Sequence, residues 1–148
     1  MPIPALNEDG LLPVGVHDCR LEEIAARFGR FQSSDRRPRL FAALRAFLDE
    51  MRTSGLFEAL LIDGSFVTAK PAPNDIDLIL VLRATHSFRG DLPPLAYNFV
   101  RPAKVRKRWK FDVVVAKADS EAYFAAVDLF QQVRNEPWLK KGILRITL

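Results

Sequence analysis

The sequence predicts an α+β fold, a mixed β-sheet with helices packed on it. Three observations carry that prediction: two apolar stripes at helical spacing, three short runs of strand character between them, and a closing run that alternates. The order reads α-α-β-β-β-α-β. A chain of 148 residues with 49% apolar content has the size of one domain able to bury a core. With no internal repeat or linker in it, a single domain over residues 1–148 is expected.

Residues 1–15, punctuated by Pro2, Pro4, Gly10, Pro13 and Gly15, read as an extended N-terminal arm. Leu21, Ile24, Ala25 and Phe28 recur at helical spacing and predict a helix over 20–28, stopped by Gly29. The strongest helix carries Leu40, Phe41, Leu44, Phe47, Leu48 and Met51 on one stripe and ends at Gly55. Ala59 to Ile62 is a short apolar strand leading into Asp63-Gly64-Ser65. After a turn over 71–74, residues 75–83 form a strand, with Ile76, Leu78, Leu80 and Leu82 on one face and Asp75, Asp77, Ile79 and Val81 on the other. A third strand over 111–116 is β-branched and apolar apart from Asp112. Residues 84–108 are irregular, with a short helix over 95–100. A helix over 119–134, capped by Asp119, buries Tyr123, Phe124, Val127 and Phe130, and a last strand spans 143–148.

The net charge is +4, and residues 101–110 alone hold six Lys or Arg and no acid, so the rest of the chain is net negative. That describes a local basic patch, not a protein that coats nucleic acid. A solvated face explains such a patch, and so does a channel for an anionic substrate, contacted by Lys104, Arg106, Lys107 and Arg108 with Trp109 available to stack on a base. No apolar run reaches the eighteen residues of a membrane span. The opening lacks the basic and apolar regions of a signal peptide, and Cys19 is the only cysteine, so a cytoplasmic protein with no membrane partner is expected. His17 and His86 lack the companions of a Ser-His-Asp hydrolase.

Asp75 and Asp77 lie two apart on one strand, so their carboxylates project from one face. Like charges this close oppose one another unless a cation sits between them. Mg²⁺ (or Mn²⁺), which binds through one or two carboxylates plus substrate phosphate oxygens, has the right chemistry. Asp112 becomes a third ligand if its strand lies beside that pair; three such carboxylates suit two metal ions about 3.5–4 Å apart. Upstream, Gly64-Ser65 closes a strand and opens a helical turn, where glycine lets a phosphate approach the backbone and free N–H groups favour an anion. The plain alternative for the two acids is an ordinary solvent-facing strand.

Gly-Ser, nine residues, Asp-hydrophobic-Asp-hydrophobic and a later lone Asp on an apolar strand together resemble the nucleotidyltransferase superfamily of the DNA polymerase β type, and its minimal bacterial and archaeal members most of all. The string IDGSFVTAKPAPNDID, with LPVGVHDC near the start and KGILRITL at the end, also resembles an uncharacterised bacterial family with this fold. The resemblance implies a nucleotidyltransferase-like mixed sheet and transfer of a nucleoside monophosphate from an NTP to an RNA, protein or small-molecule acceptor. It implies Asp75 and Asp77 as metal ligands, Asp112 completing the site and assisting the nucleophile, and Gly64 and Ser65 on the triphosphate. Lys70 stands where the family often has a basic residue. Larger members carry a further helical domain, whereas 32 residues follow Ala116 here, which leaves acceptor binding to the N-terminal helices, the basic segment, another protein or a second copy. The alternative is a non-catalytic component of a toxin–antitoxin or defence pair that binds a protein or RNA partner.

Overall fold

A computed structural model describes residues 3–30, 34–84, 97–133 and 136–148. The elements are β1 (Gly15–Asp18), α1 (Leu21–Phe28), α2 (Arg36–Ser54), β2 (Phe57–Asp63), a 3₁₀ turn (Ser65–Val67), β3 (Asp77–Leu82), α3 (Tyr97–Val100), α4 (Pro102–Trp109), β4 (Asp112–Lys117), α5 (Glu121–Phe130), β5 (Gln132–Val133), β6 (Glu136–Lys140) and β7 (Gly142–Thr147). Five strands form one mixed sheet in the order β1-β7-β2-β3-β4, and β5 and β6 pair separately. The chain is therefore α+β, as its patterning predicts.

Alternation along the central strands gives the sheet two apolar faces. Leu60, Ile62, Leu78, Leu80, Leu144 and Ile146 pack on one face beneath α1 and α2, whose Ile24, Phe28, Leu44, Phe47, Leu48 and Met51 are buried. Leu61, Ile79, Val81 and Ile143 face the other way and meet Tyr123 and Ala126 of α5. Strands β2 and β3 are antiparallel, joined by the segment that carries the Gly64-Ser65 corner. Strands β3 and β4 are parallel and need a crossover, which runs through α3 and α4. Phe47 anchors that crossover, meeting the rings of Phe99, Trp109 and Phe111 edge-on at 5.5–5.6 Å.

The structure corrects several expectations. The arm gives way to β1 at Gly15, which pairs parallel with β7. The basic segment is a helix, α4, with Pro102 in its first turn and Lys110 closing it at φ 66°. The helix expected over 119–134 starts later and stops sooner. Asp119 has a positive φ of 58°, and Ser120 caps instead, its hydroxyl accepting the Tyr123 N–H at 3.1 Å. Phe124, expected inside, is exposed. After Phe130 the chain turns into the β5–β6 pair. Residues 95–96, His86 and Arg134 lie outside the described residues.

Candidate functional site: a carboxylate row beside a glycine–serine corner

The register of the sheet assembles the site. Asp63 on β2 is the partner of Asp77 on β3, which in turn is the partner of Asp112 on β4. Residues directly opposite one another project to the same face. Three carboxylates thus stand in a row across three strands, on the α5 side, at the sheet end where β2 enters the corner. Asp75, expected on the same strand face as Asp77, instead lies just before β3, which starts at Asp77, and is held against that corner. Its carboxylate accepts the Ser65 backbone N–H at 3.1 Å and the Ser65 hydroxyl, and its carbonyl accepts the Phe66 N–H at 3.3 Å. Gly64 makes this closeness possible: at φ 94°, any Cβ there would come within 2.8 Å of the Asp75 carbonyl oxygen.

A buried arginine holds the other side of the corner. The Arg37 guanidinium of α2 donates to the carbonyls of Phe28 and Phe66 at 3.1 and 2.7 Å, and to those of Thr68 and Lys70 at 2.7 and 2.6 Å. Its two terminal nitrogens thus meet backbone oxygens in place of a carboxylate, and the loop after the 3₁₀ turn is fixed to the helix layer.

The corner and the row open onto a cleft of about 640 Å³, within the range of small-molecule sites. Charge in the cleft is unbalanced. The Asp77 carboxyl is pushed up to about 6, first by burial and then by its neighbours Asp75, Asp63 and Asp112. Burial also raises Asp63, while Lys141, whose Nζ is 2.8 Å from Asp63 Oδ1, opposes the shift. At the outer end, exposed Asp112 pairs with Arg106 of α4 at 2.6 Å.

A family model described as a family of unknown function, DUF6932, matches residues 4–147. The chain belongs to that family. No match is found among curated proteins or among solved structures.

The site residues predicted for this DUF6932 chain divide into those that converge and those that do not. Gly64, Ser65, Asp75, Asp77 and Asp112 all line the one cleft. Lys70 is exposed outside that lining, and Arg37 takes its carbonyl oxygen. The Ser65 N–H and hydroxyl are not free for a phosphate, because both are engaged by Asp75. Lys104, Lys107 and Arg108 line a separate hollow with Trp109, and Arg108 forms a two-pronged pair with Glu50. Of the four predicted basic contacts, Arg106 reaches the carboxylates, through Asp112. Trp109 lies at 13° to the Phe111 ring and carries the Arg108 guanidinium at 4.7 Å, so its ring is engaged within the fold. Cys19 is buried, its thiol pushed up to about 12 mainly by burial, which suits packing and not reactivity.

Asp63, Lys141 and Arg37 escaped the sequence reading. Asp63 shows the signal that drew attention to Asp112, an acid at the end of an apolar strand; Lys141 and Arg37 show none. Among the described residues no group of three or more His, Cys, Asp or Glu side chains stands as a ready-made metal cage. Mg²⁺ does not require one, since it takes one or two protein carboxylates and fills its shell with water and phosphate oxygens. The donor chemistry fits: hard carboxylate oxygens in excess, one of them, on Asp77, pushed up to about 6 by burial first and then by its acidic neighbours.

Proposed function

We propose that the cleft binds a nucleoside triphosphate with Mg²⁺ or Mn²⁺ and that the protein is a nucleotidyltransferase, its sheet a small version of the DNA polymerase β type. The observation that carries this reading is the register Asp77–Asp112 across β3 and β4, with Asp75 beside a glycine–serine corner in one open cleft. Asp75 and Asp77 would hold the metal, which supplies charge neutralisation for the triphosphate when bound. Asp112, released from Arg106, accepts the proton of the acceptor hydroxyl. The acceptor oxygen bonds to the α-phosphorus as the bond to the bridging oxygen breaks, and pyrophosphate leaves. Lys141, beside Asp63, is a cation in the same cleft.

Purified protein incubated with α-labelled NTPs, Mn²⁺ or Mg²⁺, and total RNA or lysate protein should transfer label. An Asp75→Ala, Asp77→Ala double variant should not. Equal label with both proteins refutes the assignment.

A second reading, a non-catalytic partner-binding protein, draws on two contacts: the Ser65 hydroxyl held by Asp75 and the Asp112 carboxylate held by Arg106. Co-purification of one protein or RNA in stoichiometric amount, with no label transfer to any acceptor, favours it.

A further inference from the structure

The same cleft has a second, apolar pole that the carboxylate chemistry leaves unused. Leu129 and Phe130 from the last turn of α5 and Gln132 and Val133 of β5 also line it. Phe130 packs partly into the core beneath α5. Leu129 does not; it is 61% exposed at the cleft wall. A large apolar side chain turned toward solvent beside a polar cleft gains most when a flat apolar surface covers it. Gln132 adds an amide able to donate and accept beside that wall.

We propose that Leu129 and Phe130 seat the base of the nucleotide, with Gln132 meeting its polar edge, while the carboxylate pole holds the metal-bound phosphates. The inference rests on the nucleotide reading above and deepens it. One cleft with an acidic, cation-demanding pole and an apolar pole bordered by an amide fits a ligand that is a metal-bound polyanion at one end and a planar heterocycle at the other. It also places base recognition on α5 and β5.

The test compares two probes by isothermal titration in Mg²⁺: the non-hydrolysable α,β-methylene ATP, and tripolyphosphate, which has the anionic end alone. The wild-type protein should bind the analogue about tenfold or more tightly than tripolyphosphate. Leu129→Asp, a change at an exposed site, and Phe130→Ala should each reduce analogue affinity about fivefold or more and leave tripolyphosphate affinity unchanged. Leu129→Met should keep the wild-type preference, and thermal unfolding checks that each variant is folded. Two results overturn the base seat alone: equal wild-type affinity for both probes, or variants that weaken both probes equally or neither. A wild-type protein that binds neither probe overturns the base seat together with the nucleotide reading. A Leu129→Asp protein that changes only its sedimentation, with analogue affinity intact, shows that Leu129 meets another protein and overturns the proposal.

Discussion

Asp77 occupies the middle of the carboxylate row, and its behaviour follows from that place. Its carboxyl is raised from 3.8 to about 6 by burial and by three neighbouring acids. In the folded state it therefore holds a proton over a range in which the unfolded chain has lost it. The stability this confers is complete below about pH 4 and is lost as pH rises through about 6. Asp77→Asn removes the penalty of charging. The variant should match the wild type at pH 4 and exceed it at pH 7.5 by about 1 kcal/mol, a modest figure because solvent screens a half-exposed carboxylate. Urea unfolding at the two pH values checks this, and a variant no more stable than wild type at pH 7.5 contradicts it. Gly64 makes an opposite demand, since its positive φ and its 2.8 Å approach to the Asp75 carbonyl leave no room for a side chain. Gly64→Ala should destabilise the fold by about 2 kcal/mol or more in the same measurement. Asp77, Asp112 and the Gly-Ser pair were legible from the strand pattern and the motif spacing, but the period of two does not extend to Asp75, which precedes β3 and turns to Ser65. Lys141 was not, because its contact with Asp63 joins positions 78 apart that carry no local pattern.

At the level of elements, the corner depends on α2 as much as on the strands. Arg37 satisfies four carbonyls of the segments around it. Arg37→Met leaves the buried Phe28 and Phe66 oxygens without these donors and should cost about 3 kcal/mol. Arg37→Lys should recover little, since an ammonium lacks the planar fork. Amide exchange should rise most over residues 66–70; exchange rising instead in α5 contradicts the clamp. The stripe of α2 and the alternation of β3 were readable because one apolar face dominates each. Helix α4 was not, since Ala103, Val105 and Trp109 are its few apolar positions among the cations and no broad stripe emerges. The end of α5 is not marked by the apolar pattern, because Leu129 and Phe130 continue its run, while the turn into β5 rests on pairing with β6, a later segment of the chain. Asp119 and Ser120 are both good caps by type; the positive φ of Asp119 decides for Ser120.

Across the whole molecule, charge and topology divide the surface. Helices α1, α2 and α4 cover one face of the sheet, α5 covers the other, and the carboxylate row meets solvent on the α5 side. The surplus of basic charge sits on α4, joined to the row by the pair Arg106–Asp112. No described helix is long and apolar enough to cross a membrane. Arg106→Ala should free Asp112 and tighten Mn²⁺ binding in the presence of nucleotide by about threefold, read by electron paramagnetic resonance of free Mn²⁺; weaker binding contradicts a latch at that pair. The proposed chemistry needs one cleft to hold both a metal and a triphosphate. A crystal structure with Mn²⁺ and α,β-methylene ATP measures this directly. The anomalous signal of Mn²⁺ should lie among Asp75, Asp77 and Asp112, with the phosphates in the same cleft. Manganese and nucleotide bound elsewhere, with the carboxylate row bare, contradicts it.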